Sequence, residues 1–156
     1  MAGLEEIVVP DVLPTDERGW VPQTEHTSFR PLCLNVTDNY WVNVLRVRQR
    51  GVISRHRHPK AVHGYVLKGT WHYLEHSWRA APGSYVYEPP GVVHTLVVPD
   101  EVDEMITLFQ VNGEMQYLDA QGNLTGTDDV HTKIEMCRRH ASAVGLGTDW
   151  VEQFIR

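Results

Sequence analysis

The chain is short of cysteine. It has two in 156 residues, Cys33 and Cys137, so a disulfide framework is not expected and a reduced cytoplasmic setting fits. No Cys-x-x-Cys pair occurs, which argues against a structural zinc ribbon. No apolar run approaches about twenty residues, so no membrane span is expected. The opening Met1-Ala-Gly-Leu-Glu-Glu lacks a basic and then apolar leader, so no signal peptide is expected. Blocks of like charge are missing too. The net charge of −6 is spread along the chain, which argues against nucleic-acid binding. Internal repeats and low-complexity tracts are absent.

What is present suits a globular protein. Hydrophobic residues make up 42% and charged residues 22%, and the length is that of one domain, 1–156. Residues 1–37 are rich in turn formers (Pro10, Pro14, Gly19, Pro22, Pro31) with short apolar patches between them. They read as an arm with short strands outside a sheet, its Trp20, Phe29 and Leu32 seeking burial. Residues 38–122 read as a barrel core. Tyr40–Val47, Val52–His58, Ser84–Glu88, His94–Val98, Met105–Val111 and Glu114–Leu118 are strand-like segments bounded by turn residues. Tyr65–Leu67 and Trp71–Leu74 flank Lys68-Gly69, which predicts a hairpin. Short strands at this even spacing predict an antiparallel sandwich or barrel. Residues 127–156 change period. Val130, Ile134, Cys137, Ala141 and Val144 form one helical stripe, with Thr127 or Asp128 as cap and Gly145 beyond its end. A short second helix opens at Thr148-Asp149.

Nine histidines are present. His26, His76, His131 and His140 lie in polar or helical contexts and read as surface residues. His72, in mid-strand, reads as a hydrogen-bonded structural residue. His56 and His58 stand two apart on a strand, so their imidazoles share a face and can bind one metal ion together. His94 follows thirty-six residues after His58 (94 − 58) and can complete the set from another strand.

The spacing around these histidines resembles the two motifs of the cupin superfamily. Gly51, four residues, His56-x-His58 and Tyr65-Val-Leu-x-Gly69 resemble the first motif. Gly83, five residues, Pro89-x-Gly91, two residues and His94 resemble the second. The resemblance implies an all-β cupin jelly-roll barrel with an N-terminal arm and C-terminal helices, and a metal inside the barrel. Two positions depart from the motifs: the usual glutamate ligand is Val62 here, and a frequent asparagine is Val98. His63, next to Val62, should point away by strand parity. Three neutral imidazoles would leave a divalent ion its full +2 charge, which favours an anionic chelating ligand.

The three-histidine set resembles, within cupins, the non-haem iron dioxygenases that cleave β-diketones and 2,4'-dihydroxyacetophenone. Further stretches carry the likeness: Gly19–Gln23, Arg30–Leu32, Val44–Arg48, Ser54–His58, Val62–Gly69, Tyr73–Glu75, Glu88–Gly91 and the C-terminal helices. The resemblance implies iron(II), with zinc or another divalent metal also compatible. It implies a small aromatic ketone and O2 as substrates, and an aryl α-hydroxyketone cleaved to 4-hydroxybenzoate and formate. It implies a homodimer or homotetramer, no nucleic acid and no membrane. Val62, Trp71, Tyr73 and Leu96 are expected to line the substrate pocket, although ordinary core packing accounts equally for Trp71 and Tyr73. Glu88 either stands in solvent on an edge strand, or orients a ligand histidine and takes the substrate's hydroxyl proton. A metal-binding sensor and a redox-neutral isomerase are the competing classes.

Overall fold

The structure is a computed structural model and describes residues 5–156; the first four residues of the expected arm lie outside the described residues. Among the described residues, the strands are β1 (Val21–Pro22), β2 (Thr27–Asn35), β3 (Tyr40–Val47), β4 (Gly51–Arg57), β5 (Val62–Lys68), β6 (His72–Tyr73), β7 (Tyr85–Glu88), β8 (Val93–Val98), β9 (Met105–Asn112), β10 (Met115–Leu118) and β11 (Leu124–Asp128). They form two sheets, ordered β1-β2-β3-β9-β5-β7 and β11-β10-β4-β8-β6, with antiparallel pairing between neighbours. Helix α1 (Val130–Ala143) and a 3-10 segment (Thr148–Phe154) follow. No helix is long and apolar enough to cross a membrane.

Alternation explains the layers. Trp41, Asn43 and Val47 of β3 are buried on one face, with Phe29, Val66, Trp71, Met105 and Phe109 also buried in the main cluster. The other face of β3 is covered as well, because Trp20, Leu32, Val44 and Ile106 form a second cluster. Arg46 lies 4.2 Å over the Trp20 ring and donates to both Glu17 carboxylate oxygens, at 3.1 and 2.9 Å. A guanidinium stacked on indole and held bidentately fixes the arm to the sheet. Helix α1 buries Val130, Ile134, Cys137 and Ala141 as its period predicts, and also Lys133.

Four expectations need correction. Thr27–Asn35 is not an outlying patch but a nine-residue strand of the larger sheet; the register shift at Pro31 accommodates a proline that cannot donate to the ladder. The Lys68-Gly69 turn makes no hairpin. It passes the chain from β5 in one sheet to β6 in the other. The helix cap is Asp129, whose side chain accepts from Thr132 N at 2.9 Å in a reciprocal box. Strand β11 was not expected, since its Leu124-Thr-Gly-Thr-Asp128 sequence is largely polar and exposed.

Gly69 has φ +71, and a Cβ there would run into the Glu104 carbonyl oxygen with Met105 Cα 3.1 Å away. Gly83 has φ +88 and open space around it. Gly83→Ala should cost about 1 kcal/mol from the backbone alone. Gly69→Ala should cost about 1–3 kcal/mol more, because the backbone of the next strand must shift. Denaturant midpoints measure the difference; equal costs would show that the Glu104 segment yields freely.

Candidate metal centre

Three strand pairings build the site. His56 on β4 is the direct partner of His94 on β8. Tyr73 on β6 is the partner of Leu96 on β8. Glu88 on β7 is the partner of Val62 on β5. The histidines and Tyr73 therefore come from the smaller sheet and Glu88 from the larger one, and they meet between the layers. His58 follows the last residue of β4, and its carbonyl accepts from Gly91 N at 2.7 Å. The Pro-Pro-Gly turn before His94 is thereby tied to the histidine pair.

All four polar residues of the centre are buried, with His56, His58, His94 and Glu88 each 2% exposed. One nitrogen each from His56 and His58 and one oxygen from Glu88 lie within 4.8 Å of one another and could hold a metal ion. Tyr73 Oη donates to Glu88 Oε1 at 2.7 Å. His58 Nε2 lies 3.7 Å from that oxygen. His94 Nδ1 lies 3.3 Å from it but out of line for a hydrogen bond. The His94 ring stacks on Tyr73 at 4.2 Å, and Ser54 Oγ lies 3.1 Å from His56 Nδ1, leaving Nε2 of that ring for a ligand.

The electrostatics suit a metal. Burial pushes the His56 imidazolium pKa down to about 3 and also lowers that of His58, so both rings are neutral donors at neutral pH. Burial opposes charge on Glu88, yet His94, His58 and Tyr73 outweigh it and hold the carboxyl below its ordinary value. Burial and the neighbouring Glu88 carboxylate push the Tyr73 phenol well above its usual range, so it stays a donor. His58 Nδ1, His94 Nδ1 and Glu88 Oε2 are buried without a hydrogen-bond partner. Each such atom costs about 1–3 kcal/mol unless something binds it. The imidazoles of His56 and His58 with the Glu88 carboxylate are a donor set that fits a divalent cation.

Several expectations are refined here. Glu88 is not a solvent-facing edge residue. It supplies the carboxylate that Val62 lacks, from the position directly across the strand pair. The centre therefore has a carboxylate beside its imidazoles, and that negative charge would partly offset the charge of a bound divalent ion. Val62, Tyr73 and Leu96 line a cavity of about 470 Å³ together with His56, His58 and Glu88. Trp71 does not line it. It is fully buried beside Tyr73, and its Nε1 donates to Thr107 Oγ1 at 2.9 Å. His94 also stands behind the lining, against Glu88 and Tyr73. His63 is on the outer face, its Nδ1 2.6 Å from Tyr85 Oη. His72 Nδ1 is buried without the hydrogen bond expected of it.

A second polar group in the cavity wall was not anticipated. Lys133 of α1 lines the cavity, as do Gln23, Tyr117 and Asp128. Lys133 Nζ donates to Gln23 Oε1 at 2.8 Å and lies 4.2 Å over the Phe29 ring. Tyr117 Oη donates to Asp128 Oδ2 at 2.7 Å and accepts from Gln23 Nε2 at 3.1 Å. The available signal was a lysine inside an apolar helical stripe, one residue before Ile134.

The fold and centre define a double-sheet β-barrel with a candidate metal site between its layers. Residues 9–116 match the model of the ChrR cupin-like domain, and the chain belongs to that family. An RmlC-like cupin protein from Ralstonia eutropha JMP134 is 27% identical, with a TM-score of 0.77 over 81% of this chain and 83% of that one. A cupin-like protein of unknown function from the same organism is 23% identical, with a TM-score of 0.73 over 78% and 76%. An acetylacetone dioxygenase from Acinetobacter johnsonii is 14% identical, with a TM-score of 0.69 over 85% and 94%, a likeness of fold. No curated protein matches the sequence.

Two measurements follow from the geometry. Divalent metal content after dialysis should fall sharply in His56→Ala and in His58→Ala, and to a lesser degree in Glu88→Gln. Losses of about 10–100-fold in affinity are usual for residues supporting a metal. Full retention in both histidine variants would remove the site.

The second concerns Lys133. Burial lowers its pKa from 10.5 to about 8, with Asp128 and Cys137 pulling the other way. The unfolded chain then binds a proton that the folded chain sheds, so stability rises as pH goes from about 8 to 10.5. The gain is up to about 3 kcal/mol. Lys133→Met should flatten the rise; a variant and wild type with parallel pH profiles would show that this lysine titrates normally.

Proposed function

We propose that the cavity is the active site of a non-haem iron(II) dioxygenase that cleaves a C–C bond of an aryl α-hydroxyketone. With 2,4'-dihydroxyacetophenone the products would be 4-hydroxybenzoate and formate, both oxygen atoms of O2 entering the products. The observation that carries the reading is a buried cluster of imidazoles and one carboxylate opening onto a small cavity walled by Leu96, Phe109 and Val111. Such a cavity suits a small aromatic molecule with one chelating end. The fold shared with an acetylacetone dioxygenase supports the reaction class, as do the residue resemblances noted above.

In this reading His56, His58 and His94 hold the metal. The pairing of His94 with His56 and its unpartnered Nδ1 support including it. A bound iron(II) would supply the redox chemistry that dioxygen requires. Glu88 is a buried, ionised acceptor facing the cavity, placed to take the hydroxyl proton of the ketone as its oxygens chelate. Tyr73 fixes the carboxylate through one oxygen and leaves Oε2 unengaged.

The test is oxygen uptake by iron-loaded protein with 2,4'-dihydroxyacetophenone, alongside acetylacetone as the β-diketone. Uptake with formation of 4-hydroxybenzoate is expected from the first. Glu88→Gln should lower turnover per bound iron by about 10²–10⁴-fold. Metal binding without oxygen consumption would sink the reaction and leave a metal-binding sensor.

A further inference from the structure

Lys133 has no place in the proton or metal chemistry above, yet it is a buried cation in the wall of the same cavity. Among the described residues no carboxylate lies within ion-pair distance of it. Its nearest polar partner is the neutral Gln23 amide oxygen. Asp128 is near enough to favour the charge but makes no direct ion pair with the ammonium; its oxygens accept from Tyr117 Oη at 2.7 Å and Thr132 Oγ1 at 3.2 Å. Tyr117 Oη makes no hydrogen bond to the ammonium; it donates to Asp128 and accepts from Gln23.

An ammonium has three N–H donors. One meets Gln23, and the Phe29 ring face covers another side at 4.2 Å. A donor is left over in a site where a buried charge without a direct ion pair is costly. Packing does not require it, because a methionine of like length would fill the stripe of α1 without that cost. The cluster is also close to the metal centre in the fold, since Tyr117 on β10 is the direct strand partner of His56.

We propose that Lys133 is the specificity-determining residue of the cavity, receiving a phenol, phenolate or carboxylate oxygen carried on the ligand's aromatic body away from its chelating end. Gln23 positions the ammonium, and Tyr117 and Asp128 lock Gln23 in turn. The ligand class is then an aromatic chelator with a second, acidic or hydroxyl oxygen on its ring. This rests on the reading of the cavity as a site for an aryl ligand and deepens it.

The test is equilibrium binding to the metal-loaded protein without oxygen, using two ligand pairs. One pair is 2,4'-dihydroxyacetophenone and 2-hydroxyacetophenone; the other is 4-hydroxybenzoate and benzoate. Wild type should prefer the para-oxygenated member by about tenfold or more, the worth of a hydrogen bond to a charged group. In Lys133→Met the preference should collapse to near unity, and Lys133→Arg should keep part of it. Lys133→Gln, which retains a neutral donor, gives an intermediate ratio and guards against a folding defect in the methionine variant. Equal binding of both members by wild type, or an undiminished preference in Lys133→Met, overturns the assignment. Oxygen uptake without discrimination sinks Lys133 as the selector and leaves the reaction standing. Discrimination without oxygen uptake sinks the reaction and leaves Lys133 standing. Failure of every ligand to bind overturns both.

Discussion

One ionised carboxylate, almost wholly buried between the two sheets, sets the terms for the centre of this protein. Removing a carboxylate from water costs several kcal/mol unless partners replace the lost hydration. For Glu88 the partners are the Tyr73 hydroxyl and the two imidazoles of His58 and His94. The carboxylate and its partners arrive from three different strand pairings: Glu88 from β7 with β5, Tyr73 from β6 with β8, and the histidines from β4 with β8. A slip of one residue in any of these would turn a partner to the other face and strand the charge. The buried charge and the registers of both sheets therefore specify each other. The Gly91 N to His58 carbonyl bond ties the ends of β4 and β8 at the same level.

The carboxylate's origin changes the chemistry expected of the centre. The motif position that ordinarily offers it is Val62, fully buried and apolar. Glu88 sits directly across from Val62 on the neighbouring strand, so adjacent positions of one sheet can deliver a carboxylate to one place. That oxygen, coming from β7, lies beside His94 and Tyr73 as well as His58. Three neutral imidazoles alone would make net charge the main attraction for an anionic chelate. With Glu88 beside them that attraction is reduced, and shape and hydrogen bonding in the cavity take a larger share of recognition.

Local periodicity made much of this legible. His56 and His58 share a face because they are two apart on a strand, and His63 turns outward by the same rule. The strands β3 and β9 and the stripe of α1 follow from period alone. What failed was non-local. In Tyr85-Val-Tyr-Glu88 hydrophobicity would bury the tyrosines and expose the glutamate, and the fold does the reverse. The partners that make a buried Glu88 tolerable lie fifteen residues before it in Tyr73 and further back in His58, so no window around β7 contains the reason. Trp71 and Tyr73 do share a face, yet Thr107 captures the indole N–H and holds Trp71 in the core. The hairpin expected at Gly69 failed because the same turn chemistry serves a crossing between sheets. Pro31 concealed β2 because only the register with β3 reveals the bulge that admits it.

Lys133 shows the limit of reading a helix by its apolar face. A stripe of Val130, Ile134, Cys137 and Ala141 establishes which side of α1 is covered, but says nothing of what covers it at each point. Over most of the face the cover is hydrophobic core; at Lys133 it is the cavity wall, between the Phe29 ring and Gln23. A chain selected only for stability would place an apolar residue there, since burial already pulls the ammonium's pKa down to about 8. Retaining a cation there, with no direct ion pair from the chain, fits the proposal that an acidic or hydroxyl oxygen of a ligand completes its hydrogen bonding. Glu88 and Lys133 then give one cavity two polar groups of opposite sign, in a lining that also includes Leu96, Phe109 and Val111. A ligand that satisfies both must carry a metal-binding end, an apolar middle and a second oxygen, and one lacking that oxygen leaves a buried cation unpaired.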